Sequence, residues 1–349
     1  MPHSKPVIIQ HNSPIGHIVL NRPTALNSLN LEMIQSIHEA LDEWSRDPNI
    51  VAVLIEGAGT RAFCSGGDIR LMHTKRGDFA FGYEIFRSEY TLNHKIHEYP
   101  KPYIAIMNGV TMGGGIGISV YGSHRIVVDS TKFAMPECAI GLFPDIGASW
   151  FLQKAPGKIG IYHGLIGTPM NAADALYSGM ATHYLTAEEL HHFKHKLFSI
   201  REAKDVDVLL SGSGRPPMES GLEKMRQQID DHFSYDSVEK IYRHLGRSEW
   251  GKEIKAVMDR NSPTSMALTL EAFRRAAGKS LREVLKTDLL LSQQCLRRDE
   301  FYEGVRAAVI DKDRNPKWQP ASITEVSEKE VAEFFKPIPG IDLDVFDPQ

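Results

Sequence analysis

Apolar and polar positions change period repeatedly along the first 130 residues, and each change marks an element. Val7-Ile8-Ile9-Gln10-His11 and His17-Ile18-Val19-Leu20 flank Asn12-Ser13-Pro14-Ile15-Gly16, the pattern of a β-hairpin with a longer turn. From Leu31 to Arg46 the period becomes helical, with Ile34, Ile37, Leu41 and Trp44 on one face and Pro48 just past the end. Ile50 to Ile55 is an unbroken apolar run, as expected of a strand covered on both faces. A helix over Phe79 to Ile96, a buried strand from Pro102 to Met107 and a strand over Arg125 to Asp129 come next.

Strand and helix therefore alternate, which predicts an α/β class. After about residue 185 the strand signals fade and helical patterns take over. Two of them open with capping-box spacing, Thr186…Glu189 and Asp236…Glu239, the second with aspartate as the N-cap. Ser211-Gly-Ser-Gly-Arg-Pro-Pro217 reads as a linker. The expected organisation is an α/β core over residues 1–200 and a helical region over residues 201–349.

Composition narrows the class. With 349 residues, 42% of them hydrophobic, the chain can bury a large core. Its net charge of −4 argues against a nucleic-acid surface. Three cysteines without CxxC spacing, Cys64, Cys138 and Cys295, fit a reducing compartment. No membrane-length apolar run or leader-like apolar segment is present, so the expected location is the cytoplasm, with no membrane partner.

Against that background, Met112-Gly113-Gly114-Gly115-Ile116-Gly117 stands out. Consecutive glycines lose much backbone freedom on folding and add nothing to a core, so they belong where the backbone must approach a ligand or aim its N–H groups at negative charge. The residues after them can open a helix, whose N-terminus adds further donors. A second such turn, Cys64-Ser65-Gly66-Gly67-Asp68, comes after the strand ending at Ile55. Two donors of this kind on one carbonyl are what acyl transfer needs, each worth about 3–4 kcal/mol of barrier. Tight turns chosen only for chain reversal are the alternative.

Downstream, Glu137 and Asp145 are the only acids in the apolar stretch Phe133 to Asp145. Desolvation suits such carboxylates to acid–base or nucleophilic work. Asp145 also fits an N-cap for the segment after it. Other chemistries drop out. The glycine run is not GxGxxG, since position 118 is isoleucine, and neither a GxxxxGK[ST] phosphate loop nor a GxSxG elbow occurs. His191 and His195 lack the HExxH glutamate and read as a solvated helix face, so no metal is expected. Cys64 and Cys138 read as small buried fillers.

These segments resemble the crotonase (enoyl-CoA hydratase/isomerase) superfamily: Asn21-Arg-Pro-Thr-Ala-Leu-Asn27, Ala62 to Ile69, Asn108 to Gly115, and Met135-Pro-Glu137 running on to Gly141. Glu89-Tyr-Thr-Leu-Asn93, Gly141 to Asp145 and Glu303 to Trp318 narrow the likeness to members that hydrolyse small 3-hydroxyacyl-CoA thioesters. The resemblance implies a spiral of repeated ββα units with a helical C-terminal part. It implies that the N–H groups of Gly67 and Gly114 form the oxyanion hole, and that Glu137 is the nucleophile or the general base. By the same likeness Asp145 holds the 3-hydroxyl and aids proton transfer, Glu89 contacts substrate, and Ala25-Leu26-Asn27 lies against the CoA adenine. The substrate it implies is 3-hydroxyisobutyryl-CoA from valine breakdown. CoA enters as part of that substrate, and no separate cofactor is implied.

One departure bears on the reaction. Hydratases of this superfamily carry a second glutamate two residues past the glycine run, where this chain has Gly117. A single carboxylate cannot easily hold water for addition across a double bond, which argues for hydrolysis. Gly117 instead leaves room for a branched acyl group or an attacking water. An isomerase, which shuttles one proton, and a CoA-binding protein without turnover are the remaining readings. Acyl-chain preference, the cations that hold the CoA phosphates (Arg61 and Arg70 flank the first turn) and assembly into a homo-oligomer are left open by the sequence.

Overall fold

The hairpin forms as its pattern predicts, with a tighter turn. In the computed structural model, which describes residues 5–246 and 248–346, β1 (Val7–Asn12) pairs antiparallel with β2 (Ile15–Leu20), Asn12 opposite Ile15. Helix α1 (Leu31–Arg46) begins at Asn30, whose side chain accepts the Met33 N–H. It buries Met33, Ile34, Ile37, Leu41 and Trp44. The Trp44 indole lies where a Cβ on residue 16 would be, so only glycine fits there.

From β3 onward the chain repeats one unit. Strands β3 (Ala52–Gly57) and β4 (Ala62–Cys64) lead into α2 (Ile69–Thr74) and α3 (Phe79–His97). Then β5 (Tyr103–Met107) and β6 (Val110–Met112) lead into the single turn α4 (Gly114–Gly117). After them come β7 (His124–Val127), β8 (Lys132–Ala134) and β9 (His183–Tyr184). Each ββ pair divides its strands: the six-stranded sheet has the order β1-β2-β3-β5-β7-β9, and β4-β6-β8 form a three-stranded sheet. Parallel pairing links β2 to β3, β3 to β5, β5 to β7 and β7 to β9. This is the ββα spiral, and it is why β3 and β5 read as continuous apolar runs: both faces are covered. Ala52, Leu54, Ile104, Ile106 and Ile126 pack on Phe193 and Leu197 of the helix Ala187–Leu197 and on Val206 and Leu210. Burying each Leu, Ile or Phe is worth about 1.5–3 kcal/mol.

Two compact units interleave along the chain. Among the described residues, the first comprises 5–67, Ser88–Phe133 and Pro169–Glu223, the second Asp68–Arg87, Ala134–Thr168, 224–246 and 248–346. The second unit is built on helices, among them Pro263–Ala276 and Leu281–Cys295, N-capped by Ser262 and Ser280. Ser262 donates its N–H to the Cys138 carbonyl (2.8 Å), and the Asn261 amide donates to the Leu165 carbonyl (2.9 Å).

The Thr186–Glu189 capping box forms as expected. The second cap does not fall on Asp236. Ser237 is the extended residue whose Oγ accepts the Lys240 N–H, and Asp236, one residue too early, instead pairs with the Lys240 ammonium at 2.7 Å. Among the described residues no helix is long and apolar enough to cross a membrane.

Candidate active site

In the first unit, β4 delivers the turn Ser65-Gly66-Gly67 and β6 delivers Gly113-Gly114. Neither turn stands alone. Gly66 has φ +99°, and a Cβ there would sit 3.1 Å from the Met112 carbonyl oxygen and 3.4 Å from the Gly114 nitrogen, so the two turns are in contact. Gly113, at φ 48° and ψ −126°, takes a conformation that side chains resist. Gly115 is squeezed against the Cys64 backbone, leaving no space for a Cβ.

Neither Gly67 nor Gly114 donates its N–H to any acceptor among the described residues. Nothing lies within 4 Å of the position a Cβ on Gly67 would take. Packing therefore does not account for the glycine at 67. Two unengaged backbone donors on adjoining turns are the arrangement that oxyanion stabilisation uses. The helix expected after the glycines is only the one turn of α4, so any dipole contribution is small.

The segment before the first turn holds it in place. Asn27 is fully buried at φ 55°, accepts the Arg22 N–H at 2.9 Å, and donates to the carbonyls of Ala58 (3.0 Å) and Ala62 (2.9 Å). Ser65 donates to the Leu26 carbonyl at 3.0 Å, and Leu29 to that of Gly66 at 2.8 Å. The Asn27 side chain is thus a clamp on β4 and its turn. Glu89, on α3 and 5% exposed, abuts the α carbon of Gly114 so closely that a Cβ there would collide with its Oε1.

In the second unit, Glu137 opens a 3₁₀ turn, Glu137–Ile140, directly after Pro136, and both Glu137 and Asp145 are 5% exposed. The N-cap position of the helix after it does not fall on Asp145. The N-cap of Ala148–Phe151 is Gly147, without a side-chain cap. Ile146 (φ 53°) and Gly147 (φ 78°) are both left-handed, an unusual conformation for a β-branched residue.

The Gly147 N–H is taken instead by Asp288, from the helix Leu281–Cys295, at 2.7 Å. Asp288 is 1% exposed, and burial together with the like charge of Asp145 holds its carboxyl well above the usual carboxylate range. Sequence reasoning passed over Asp288. The available signal was a lone acid directly before Leu289-Leu290-Leu291.

The remaining candidates take structural positions. Burial pushes the Cys64 and Cys138 thiols up to about 12, far from thiolate chemistry. Arg70 donates to the Val309 carbonyl at 2.8 Å. His191 and His195 lie on the exposed side of their helix, which buries Phe193 and Leu197. No cluster of three or more histidines, cysteines or acids suited to a metal occurs among the described residues.

The alternating ββα spiral with its paired glycine turns defines a crotonase-type α/β protein. The chain belongs to the enoyl-CoA hydratase/isomerase family, whose model matches residues 15–335. It is 39% identical over 347 residues to the mitochondrial 3-hydroxyisobutyryl-CoA hydrolase of Rattus norvegicus, covering 97% of this chain and 90% of that protein. To the enzyme of the same name from Xenopus laevis it is 41% identical over 340 residues, covering 94% and 88%. Among solved structures it is similar to a carnitinyl-CoA dehydratase from Mycobacterium thermoresistibile, with a TM-score of 0.91 at 35% identity over 97% of this chain and 98% of that one. It is likewise similar to an enoyl-CoA hydratase from Rhodobacter sphaeroides, with a TM-score of 0.89 at 36% identity over 95% and 98%.

Proposed function

We propose that this protein hydrolyses 3-hydroxyisobutyryl-CoA to 3-hydroxyisobutyrate and CoA. The adjoining turns of Gly67 and Gly114, whose N–H groups have no acceptor among the described residues, carry the reading. They take the thioester oxygen as it gains charge when the carbonyl carbon is attacked, where each donor is worth about 3–4 kcal/mol. Glu137 acts as nucleophile or as the base that deprotonates water, and Asp145 holds the 3-hydroxyl and assists proton transfer to the departing thiolate. Glu89 contacts the substrate beside Gly114. CoA is supplied with the substrate, and the chemistry needs no further cofactor.

The relatives named as hydrolases, at 39% and 41% identity, support hydrolysis. The two solved structures are named as a dehydratase and a hydratase, which keeps water addition to an enoyl-CoA as the second reading. Gly117, at the position of the hydratases' second glutamate, weighs against it. A thiol-release assay decides. CoA freed from 3-hydroxyisobutyryl-CoA is expected, and none above background overturns the reading. Loss of enoyl absorbance from crotonyl-CoA without thiol release would replace it with hydration.

Three buried free cysteines support a reducing compartment, and we assign the cytoplasm. The relatives are mitochondrial by name, so recovery of this chain in a mitochondrial fraction would replace that assignment.

A further inference from the structure

Asn93 has no explanation in the fold. It is fully buried on α3, yet neither its Nδ2 nor its Oδ1 has a hydrogen-bond partner among the described residues. An unsatisfied buried amide carries its full desolvation penalty, and native proteins retain few. A leucine has the same branched shape and would carry no such cost.

Its position is specific. Asn93 stands four residues after Glu89, so the two share one face of the helix. Both face the glycine turn: Glu89 abuts Gly114, and Asn93 abuts Gly117. A Cβ on residue 117 would lie 2.8 Å from the Asn93 Nδ2 and 3.0 Å from its Oδ1. The amide therefore fills the space a side chain at 117 would enter, and Gly117 is what admits it. The two contacted glycines lie three positions apart on α4, about 4.5 Å along a helix axis. Asn93 thus marks a second polar point on the face of α3 that meets the glycine turn.

We infer that Asn93 is a specificity-determining residue that hydrogen-bonds the hydroxyl of the acyl group. The inference rests on the hydrolase reading. A primary amide offers donors as well as an acceptor, and an alcohol offers one donor and two acceptor lone pairs, so the Asn93 Nδ2 can donate to the hydroxyl oxygen while the hydroxyl hydrogen is left for the role proposed for Asp145. A site that buries a polar group for a substrate hydroxyl discriminates strongly against the analogue lacking it, because the group is then left unsatisfied.

The test compares kcat/KM for 3-hydroxyisobutyryl-CoA and isobutyryl-CoA in the parent protein, N93L and N93S, with Tm measured on each. In the parent the hydroxylated thioester is preferred. In N93L that preference falls at least about tenfold, about 1.4 kcal/mol, while Tm holds or rises. In N93S, which keeps a donor and an acceptor, it falls less. N93S is read alone if N93L is not recovered folded. A preference unchanged in the folded variants overturns the role of Asn93 and leaves hydrolysis standing. No CoA release by the parent from either thioester overturns both readings together.

Discussion

The Asp288 carboxylate accepts the Gly147 N–H at 2.7 Å, two residues beyond Asp145. A helix more than 130 residues downstream thus fixes a loop whose Ile146 and Gly147 are both left-handed. Replacing Asp288 by asparagine keeps an oxygen for that N–H, whereas leucine strands a buried donor at a cost of about 1–3 kcal/mol. Denaturant unfolding should rank the variants accordingly, with D288L the weakest; equal stability of D288L and D288N would refute the clamp.

The same residue makes stability depend on pH. Because its carboxyl is raised in the folded protein, the folded state holds this proton more tightly than the unfolded one. That contribution is fully present below the ordinary carboxyl value of 3.8 and is lost as pH rises through the raised folded value. D288N should therefore gain on the parent as pH rises across that window. Tm measured at a series of pH values checks the sign, and a D288N advantage that shrinks with rising pH would contradict it.

Removing the charge of Glu137 as E137Q should lower kcat by about 10²- to 10⁴-fold, the range of a lost acid–base group or more if it is the nucleophile. Substrate affinity, measured by titrating a non-hydrolysed CoA thioether, should change little. Activity within a few-fold of the parent would remove Glu137 from the chemistry.

Neighbouring glycines should fail in different ways. A Cβ at 115 meets the Cys64 backbone, which cannot yield, so G115A should cost about 1–3 kcal/mol of stability through overpacking. At 114 the obstacle is the end of the Glu89 side chain, so G114A should fold more easily yet lose kcat/KM as Glu89 is displaced. Parallel thermal melts and steady-state kinetics separate the two; a G114A protein with parental kcat/KM would count against the Glu89 contact.

Periodicity alone made the hairpin, α1, β3, α3 and β5 legible, because each buries a face that imposes its own repeat on the sequence. It could not show that β3, β5 and β7 share one sheet while β4, β6 and β8 share another. That division is set by pairings between strands dozens of residues apart, and only the family resemblance carried it. Gly67 and Gly114 were legible because glycine is costly wherever it is not needed. Asp288 and Asn93 were not, since an acid or an amide inside a helix looks solvent-facing until the packing is known. The Asp236 cap failed for a local reason: Ser237 competes for the same role one residue later and has the extended backbone for it.

All three cysteines are buried and free, and burial raises every thiol, those of Cys64 and Cys138 to about 12. At neutral pH the folded protein should give no colour with a disulfide reagent such as Ellman's, so thiol appearing in a turnover assay comes from CoA alone. The chain then carries its own unfolding clock. Reagent should titrate no thiol in buffer and three in guanidinium, and the rate at which they appear at intermediate denaturant reports how often the interior opens.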